Sequence, residues 1–162
     1  MGKAPYKNVL VNDLILDKYG QKMHKSKGNS VSPFGCIENY GADPTRWYML
    51  SASPVWTPLK FDEEGIKEVQ SKFFNTLKNT YTFFQMYANT DKVDPRKFKV
   101  EYKDLEDIDK WLLSKYNKLV RDVTESMDVY DPNKAVKLIS NFVNEDLSNW
   151  YIRRNRRRFW GS

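Results

Sequence analysis

Three lysines stand close together near the N-terminal end of the sequence, in the stretch QKMHKSKGN at residues 21–29. Lys22 and Lys25 are three residues apart, a spacing that brings two side chains to the same side of a turn or helix but to opposite faces of a strand. Converging ammonium groups repel each other unless an anion lies between them, and each contact with that anion is worth about 1 kcal/mol in water and about 4 kcal/mol at an effective dielectric constant near 20. A phosphate chain is such an anion, because lysines and loop amides bind it through charge-assisted hydrogen bonds. A solvated basic loop without a ligand is the alternative.

Two neighbours of these lysines suit the same chemistry. Ser26 offers a hydroxyl donor, and Gly28 lets the backbone pass close to a ligand. The turn-like sequence DKYG precedes the loop, and Gly20 stands where a left-handed conformation closes such a turn. We therefore predict a strand, a tight turn and the lysine loop in succession.

A second basic cluster lies near the C-terminal end, in WYIRRNRRRFW at residues 150–160, where five arginines fall within six positions. On a helix they cover most of the circumference, so some must lie against neighbouring helices. One interpretation pairs Arg153 and Arg154 with the acidic residues Glu145 and Asp146 about two helical turns earlier. The other has the outward side chains bind RNA, since arginine binds phosphate bidentately and aromatic rings stack on unpaired bases. The predicted RNA contacts are Arg156, Arg157, Arg158 and Trp160.

The first sixty residues, which carry the lysine loop, have the pattern of a small mixed α/β segment. A β-branched and aliphatic run predicts a strand over residues 9–16. Gly41 stops a short helix over residues 34–40, and Asp43 with Pro44 supplies an N-cap and a first-turn proline for a helix to about Ser51. We predict that Trp47 and Tyr48 pack between this segment and the helices that follow.

Long amphipathic helices follow residue 61 and carry the arginine cluster. Asp62 caps the first, a polar linker spans about residues 89–103, and Asp131 with Pro132 starts the third. Apolar residues recur every three or four positions in all three helices and predict their buried faces. These residues are Ile66, Val69, Phe73, Leu77, Tyr81, Phe84 and Ala88, then Leu105, Ile108, Leu112, Tyr116, Leu119, Val123 and Met127, then Val136, Ile139, Val143, Leu147 and Trp150. The predicted fold class is mainly α, with a small α/β segment at residues 1–60 and a helical bundle at residues 61–162.

The composition limits the classes of protein that fit. Hydrophobic residues make up 40% and aromatic residues 15% of the 162 residues, which supports a packed core. The formal net charge of +6 favours a polyanionic partner only where positive charges cluster. One cysteine, Cys36, and one histidine, His24, exclude an internal disulfide and a His/Cys zinc site, and Cys36 is predicted to be a small buried hydrophobe. No apolar run approaches the ~18 residues of a membrane span. We expect a monomeric, soluble and cytoplasmic chain that binds no metal and no membrane.

Three stretches of the sequence resemble one enzyme family. KMHKSKGN, placed after a predicted strand and DKYGQ, resembles the lysine signature loop of class I aminoacyl-tRNA synthetases, whose usual form is Lys-Met-Ser-Lys-Ser. YGADPTRWYML is similar to the segment just downstream in that family. LSNWYIRRNRRRFW is similar to a stretch in the anticodon-binding domain of isoleucyl-tRNA synthetases. The resemblance covers essentially residues 6–160.

This resemblance implies roles for the loop residues. In that family the loop binds ATP, and the second lysine, here Lys25, contacts the phosphates and stabilises the transition state of adenylate formation. The first lysine, Lys22, helps to hold the loop and the nucleotide. The main chain around Met23 and His24 lies near the adenine, and Ser26 belongs to the same ATP-binding loop. His24 stands where serine is usual, and we expect it to be a surface histidine without a special role.

The resemblance also implies a reaction. The parent enzyme would be an isoleucine–tRNA ligase, which activates isoleucine with ATP and Mg²⁺ and transfers it to the 3′ end of tRNA(Ile). The family's His-x-Gly-His signature needs two histidines, and the sequence has one. We therefore expect a fragment that is inactive alone. Residues 1–60 would be the end of the catalytic unit, with a stem-contact-like fold, and residues 61–162 the start of the helical anticodon-binding domain.

Other interpretations stay open on the sequence alone. A free-standing helical RNA-binding module would use both basic clusters for phosphate contacts and would not need ATP. A protein-interaction bundle would use exposed aromatic residues as its docking face. Within the family, a valine, leucine or methionine enzyme is the nearest alternative, because the amino-acid pocket that would decide it is not in this chain.

Overall fold

The structure, a computed structural model, describes residues 4–160. Helices form most of it, and two short strands form a parallel pair, so the prediction of a mainly α fold with a small α/β segment is confirmed. The strands are β1 (Ile15–Leu16) and β2 (Leu59–Lys60). The α-helices are α1 (Pro33–Tyr40), α2 (Ala42–Ser51), α3 (Glu63–Val69), α4 (Asn75–Thr90), α5 (Asp107–Asp128), α6 (Pro132–Asn141) and α7 (Arg153–Phe159).

The strand predicted over residues 9–16 is much shorter in the structure. Only Ile15 and Leu16 pair, with Leu59 and Lys60 in parallel register. The backbone N–H of Asp13 still donates to a carbonyl at Val55, 2.9 Å away, but the residues before it have no strand partner in the described part of the chain. A β-branched sequence favours an extended backbone, whereas a strand also requires a neighbouring backbone with which to exchange hydrogen bonds.

Side-chain caps start three helices where the sequence predicts breaks. The side chains of Ser32, Asp62 and Asp131 accept backbone N–H groups at the starts of α1, α3 and α6. The prediction of Asp43 as the cap of α2 is wrong, because Gly41 occupies that position. With φ at 88°, Gly41 both ends α1 and starts α2, and Asp43 lies in the first helical turn, where its charge still favours the helix dipole.

The α/β segment has its own buried cluster, formed where the strand pair meets α1, α2 and α3. Its members are Cys36, Tyr48, Leu59, Phe61 and Ile66. The exposed fraction of Cys36 is 2%, which confirms the prediction of a small buried hydrophobe. The lysine loop follows β1 directly and therefore starts from this core.

Trp47 of α2 connects this segment to the helical bundle. Its ring stacks on Phe73 at a centroid distance of 4.3 Å, and its indole Nε1 donates to Ser140 Oγ in α6 at 3.3 Å. Phe73 belongs to a second buried cluster, together with Phe142 and Val143. The prediction that Trp47 packs between the two parts is confirmed. The same prediction for Tyr48 is wrong, because its ring lies in the buried cluster of the α/β segment.

A π-helical turn, Gln70–Phe74, separates α3 from α4 and changes which face of α4 is buried. Its hydrogen bonds join residues five apart, so it holds more residues per turn than an α-helix and shifts the phase of the side chains that follow. After this turn the half-buried residues are Thr76, Thr80, Phe83, Tyr87 and Ala88, and all but Ala88 precede a residue of the predicted stripe by one position. The predicted burial of Leu77, Tyr81 and Phe84 is wrong, since they are 38%, 62% and 39% exposed.

A longer π-helical segment, Phe142–Ile152, has the same effect before α7. Among the buried or half-buried side chains here, one series recurs every fourth position, a wider spacing than the 3.6 residues of an α-helix. This series comprises Val143, Leu147, Tyr151, Asn155 and Phe159. Trp150, predicted to face inward, is 47% exposed. On α5, the predicted burial of Tyr116 and Met127 is also wrong, since each is 51% exposed.

Among residues 4–160, no helix combines the length and the apolar character needed to cross a membrane.

Candidate functional site

The lysine loop is a hairpin-like excursion from β1. The backbone of Leu16 pairs in antiparallel fashion with that of Lys22, after a tight turn closed by Gly20 at a φ of 84°. The chain is still extended at His24 and then forms one 3₁₀ turn, Lys25–Lys27, which ends at Gly28 with a φ of 68°. The predicted turn-like conformation is therefore present from Lys25 onward. The convergence of Lys22 and Lys25 on one anion stays a prediction.

Asn29 closes the base of this loop. Its side-chain Oδ1 accepts the backbone N–H of His24 at 2.9 Å, and its Nδ2 donates to Asp17 Oδ2 at 2.8 Å and to the carbonyl of Lys22 at 3.3 Å. One amide thus joins the turn before the loop to both ends of the segment that carries Lys22 and Lys25.

Asp17 is the buried counterpart of Asn29, with an exposed fraction of 8%. Its Oδ1 accepts the backbone N–H groups of Tyr19 at 3.0 Å and of Gln21 at 2.8 Å, while its Oδ2 accepts from Asn29. The hydrogen bond from Asn29, followed by that from Gln21, lowers the pKa of the Asp17 carboxyl below its ordinary value. Asp17 is therefore a carboxylate at neutral pH, and N–H donors from three residues hold it.

Met23 anchors the loop on the apolar side. Its half-buried side chain packs against the cluster around Cys36 and Phe61, whereas Lys22 and Lys25 are exposed. The base of the loop is therefore held by one polar and one apolar contact, and the cationic arc faces solvent. His24, Ser26 and Lys27 belong to this exposed arc.

An open cleft of about 560 Å³ lies on the Asn29 side of the loop. Its charged lining consists of four carboxylates and two ammonium groups, from Asp17, Asp62, Glu63, Glu64, Lys18 and Lys67. This excess of negative charge disfavours phosphate in the cleft, so we expect an anion held by the lysines to lie along the exposed arc. Within residues 4–160, no group of His, Cys, Asp and Glu is arranged to hold a metal ion.

The arginine segment spans the last π-helical residues and α7, and Arg158 fastens it to α5. Its Nη1 and Nη2 donate to the two carboxylate oxygens of Asp109 at 2.7 and 2.8 Å. Its Nε lies 3.5 Å from Glu106 Oε1, and its Nη1 also donates to Asn155 Oδ1 at 3.1 Å. This bidentate ion pair is the strongest geometry available to arginine. Arg158 was predicted to bind RNA, but in the structure its guanidinium group is bound to another side chain of the protein.

Tyr151 completes this cluster. Its hydroxyl donates to Asp109 Oδ1 at 2.7 Å. Burial, and then the hydrogen bond to the carboxylate, raises the pKa of Tyr151 to about 12, while Arg158 is the main cause of a lowered pKa at Asp109. The phenol is therefore neutral and the carboxylate ionised across the physiological range.

The remaining arginines differ from the first interpretation of the sequence. Asp146, proposed as an acidic partner, pairs with Lys115 at 3.2 Å. Arg154 lies over the ring of Trp150, 4.4 Å from the centroid, which is a cation–π contact. The pairing predicted for Arg153 and Arg154 is therefore found at Arg158 instead. The other predicted RNA contacts, Arg156, Arg157 and Trp160, are exposed.

Two family models match the sequence, and the two basic clusters lie in different ones. The model described as tRNA synthetases class I (I, L, M and V) matches residues 1–62, which include the lysine loop. The model described as the anticodon-binding domain of tRNA ligase matches residues 109–162, which include the arginine segment. Together, these two matches support a segment of a class I tRNA synthetase.

Within this class, the sequence matches isoleucine–tRNA ligases over nearly its whole length. The relative from Bacteroides fragilis is 53% identical over 156 residues, which are 96% of this chain and 14% of that protein. The relatives from Cytophaga hutchinsonii and Clostridium novyi are 49% and 48% identical, over 98% and 97% of this chain and 14% and 15% of theirs. The chain thus corresponds to a segment of an isoleucine–tRNA ligase and spans about 14% of the length of these curated relatives.

A solved structure shares the fold at low sequence identity. The LeuRS of Agrobacterium radiobacter K84 (agnB2), crystallised in a ternary complex with tRNA and LeuAMS, superposes with a TM-score of 0.70 over 91% of this chain and 18% of that chain. The identity is 19%, so the likeness shows the fold alone.

Sequence reasoning missed Asp17, Asn29, Asp109 and Tyr151 as parts of the two sites. The local signals were present, because Asp in a turn and Asn after Gly are typical of side chains that bond to nearby backbone. The partners, however, are 12 residues apart in one site and up to 49 in the other. Local spacing does not report contacts over such distances.

Proposed function

We propose that this segment supplies the ATP-phosphate loop and part of the tRNA-binding surface of an isoleucine–tRNA ligase. The observation that carries the proposal is the lysine loop itself. Its base is fixed by Asn29 and Met23, while Lys22, Lys25 and Ser26 are presented to solvent on an arc with no acidic partner within 4 Å in the described chain. The matches to isoleucine–tRNA ligases support the choice of substrate.

In this proposal Lys25 acts by electrostatic stabilisation. When the isoleucine carboxylate attacks the α-phosphate of ATP, negative charge builds up on the departing pyrophosphate, and the Lys25 ammonium offsets it. Lys22 binds the same phosphate chain, and the backbone at Met23 and His24 lies along the nucleotide. Ser26 offers a further hydrogen bond.

Magnesium accompanies ATP in this class of reaction, and we assign it no ligand in this chain. The carboxylate nearest the loop, Asp17, already accepts three N–H groups, so it is poorly suited to metal binding. No step is derived through the metal.

The arginine segment is proposed to contact tRNA(Ile) through Arg156, Arg157 and Trp160. All three are exposed, whereas Arg158 and Phe159 hold the helix that carries them. Arginine suits phosphate recognition through its planar, bidentate geometry. We further propose a domain boundary near residue 60, a cytoplasmic location and a monomeric state for this chain.

The test is the substitution Lys25→Ala in a full-length isoleucine–tRNA ligase that contains this segment. We expect isoleucine-dependent pyrophosphate exchange to fall about 10²- to 10³-fold in kcat, as when one preorganised transition-state donor is removed. Lys78→Ala, at an exposed lysine of α4, is the matched control and should leave the rate unchanged. An unchanged rate in Lys25→Ala would contradict the catalytic assignment of Lys25.

A further inference from the structure

We propose that Asp17 and Asn29 are positioning residues that hold the lysine loop in the geometry in which Lys25 meets the phosphates. This inference rests on the function proposed above for Lys25. It assigns to the pair a part in the reaction although neither side chain needs to touch the nucleotide.

The hydrogen bonds of Asn29 span the loop rather than a single turn. Its Oδ1 accepts the N–H of His24, the residue that immediately precedes Lys25, and its Nδ2 donates to the carbonyl of Lys22. The backbone on both sides of Met23 is therefore tied to one amide. Any displacement of Asn29 moves the residue that starts the 3₁₀ turn and, with it, the origin of the Lys25 side chain.

Asp17 fixes Asn29 in turn. The two carboxylate oxygens have different donors. Oδ1 accepts the backbone N–H groups of Tyr19 and Gln21, and Oδ2 accepts only the side-chain amide of Asn29. Asp17 is buried, and the turn that holds it follows β1 directly, so its position is set by the core. The hydrogen bonds of this pair therefore hold the exposed loop in a fixed position relative to the core.

The orientation of the two side chains makes a reciprocal exchange informative. In Asn29→Asp alone, two carboxylates would face each other where an N–H···O bond of 2.8 Å now stands, and they would repel. In the exchange Asp17→Asn with Asn29→Asp, the new amide keeps its oxygen for Tyr19 and Gln21 and donates to the new carboxylate. That carboxylate still accepts from His24, but the 3.3 Å bond to the Lys22 carbonyl is replaced by a contact between two acceptor oxygens, as it also is in Asn29→Asp alone.

The experiment measures pyrophosphate exchange in a full-length isoleucine–tRNA ligase carrying this segment. We expect Asn29→Asp to lower kcat about 10- to 100-fold, since a small displacement of a catalytic group has an effect of this size. The KM for isoleucine should stay within about twofold, and the reciprocal exchange should recover most of the lost kcat. Asn79→Ala and Asp128→Asn, at exposed positions on α4 and α5, are the controls for loss of an amide and of a carboxylate.

A second arm separates positioning from general structure. If Asn29 acts through Lys25, then Asn29→Asp should change the rate by less than about threefold in a Lys25→Ala background, because residues that act as a unit are not additive. Equal losses with and without Lys25, or an exchange variant that is inactive or does not fold, would overturn the proposal. If Asn29→Asp does not fold, the exchange variant is the test: near wild-type kcat supports the proposal, and loss of activity contradicts it.

The outcomes also separate this inference from the proposed function. An unchanged rate in Lys25→Ala would contradict both the catalytic role of Lys25 and the positioning role of Asp17 and Asn29. A large loss in Lys25→Ala with wild-type activity in Asn29→Asp removes only the positioning role.

Discussion

Gly65, near the start of α3, is required for space rather than for its backbone conformation. A Cβ added at this position would lie 2.3 Å from Cε2 of Tyr48. Tyr48 has little room to move, because it is 7% exposed and its hydroxyl both accepts the N–H of Asp62 at 3.0 Å and donates to the carbonyl of Lys60 at 3.2 Å. The ring thereby joins α2 to the end of β2 and the start of α3.

We therefore predict that Gly65→Ala lowers the free energy of unfolding by about 1–3 kcal/mol, the usual cost of overpacking a core. The sign is informative, because alanine has the higher helix propensity and would otherwise stabilise α3. Gly35→Ala in α1 is the matched control, since its new Cβ would have no neighbour closer than 3.6 Å. Chemical denaturation of both variants gives the comparison, and a stabilised Gly65→Ala would contradict this account.

At this scale much of the chain is predictable from sequence. The caps at Ser32, Asp62 and Asp131 and the left-handed Gly20 follow from local chemistry that acts within four residues. The Asp17–Asn29 pair does not, because its partners are brought together only when the loop returns to its starting point.

Among the helices, α5 and α7 are joined by the cluster of Asp109, Tyr151 and Arg158. Asp109 lies in the first turn of α5 and also takes part in a capping box with Glu106, so one carboxylate starts one helix and fastens another. Phe159 holds the same end of α7 against α4 through Phe83, with a centroid distance of 5.2 Å.

This cluster predicts a pH dependence at the alkaline side. The folded pKa of Tyr151, about 12, lies above the ordinary value of 10.0, so the neutral phenol stabilises the fold fully below pH 10. That contribution should be lost as the pH rises from 10 to about 12. Unfolding measured across this range should show the loss, and the loss should be smaller in Tyr151→Phe.

Tyr87→Phe is a suitable control for the removal of a hydroxyl, because it alters a half-buried tyrosine outside this cluster. Identical alkaline profiles for the original chain and Tyr151→Phe would contradict the assignment.

The π-helical turns explain why the helices were predicted well and their faces less well. Apolar spacing identifies α4 and α5 and their approximate ends, since that signal is repeated over many residues. A single turn such as Gln70–Phe74 leaves no comparable mark in the sequence, yet it moves every later side chain around the axis. Tyr81 and Phe84 therefore reach solvent, and Phe83 and Tyr87 take their place.

For the whole molecule, the two clusters of positive charge lie in different parts of the fold, and each has its own role in the proposed function. The lysine loop belongs to the α/β segment and the arginine segment to the bundle. If the two clusters are separate sites of an enzyme, substitutions in the arginine segment should not alter pyrophosphate exchange. A single RNA-binding surface would instead require both clusters for the same binding.

We predict that Arg156→Ala and Arg157→Ala each reduce the slope of log affinity for tRNA(Ile) against log salt concentration by roughly 0.7–0.9, the value for one phosphate contact. Arg96→Ala, at an exposed arginine paired with Asp94 in the linker before α5, should leave the slope unchanged. The measurement is a salt titration of tRNA binding by the full-length ligase. Unaltered slopes for both variants would contradict the proposed phosphate contacts of these two arginines.

The packing of Trp47 affects how the chain can be divided into two separately expressed parts. By position in the chain it belongs with the lysine loop, yet its ring covers Phe73 and its indole nitrogen is bonded to Ser140. Expression of the two parts from separate plasmids, cut near residue 60, would leave an uncovered aromatic surface on each product. Co-expression of the two parts would let each cover the exposed surface of the other and limit aggregation. A boundary that moves α2 to the bundle would not, because Tyr48 of α2 belongs to the buried cluster of the α/β segment.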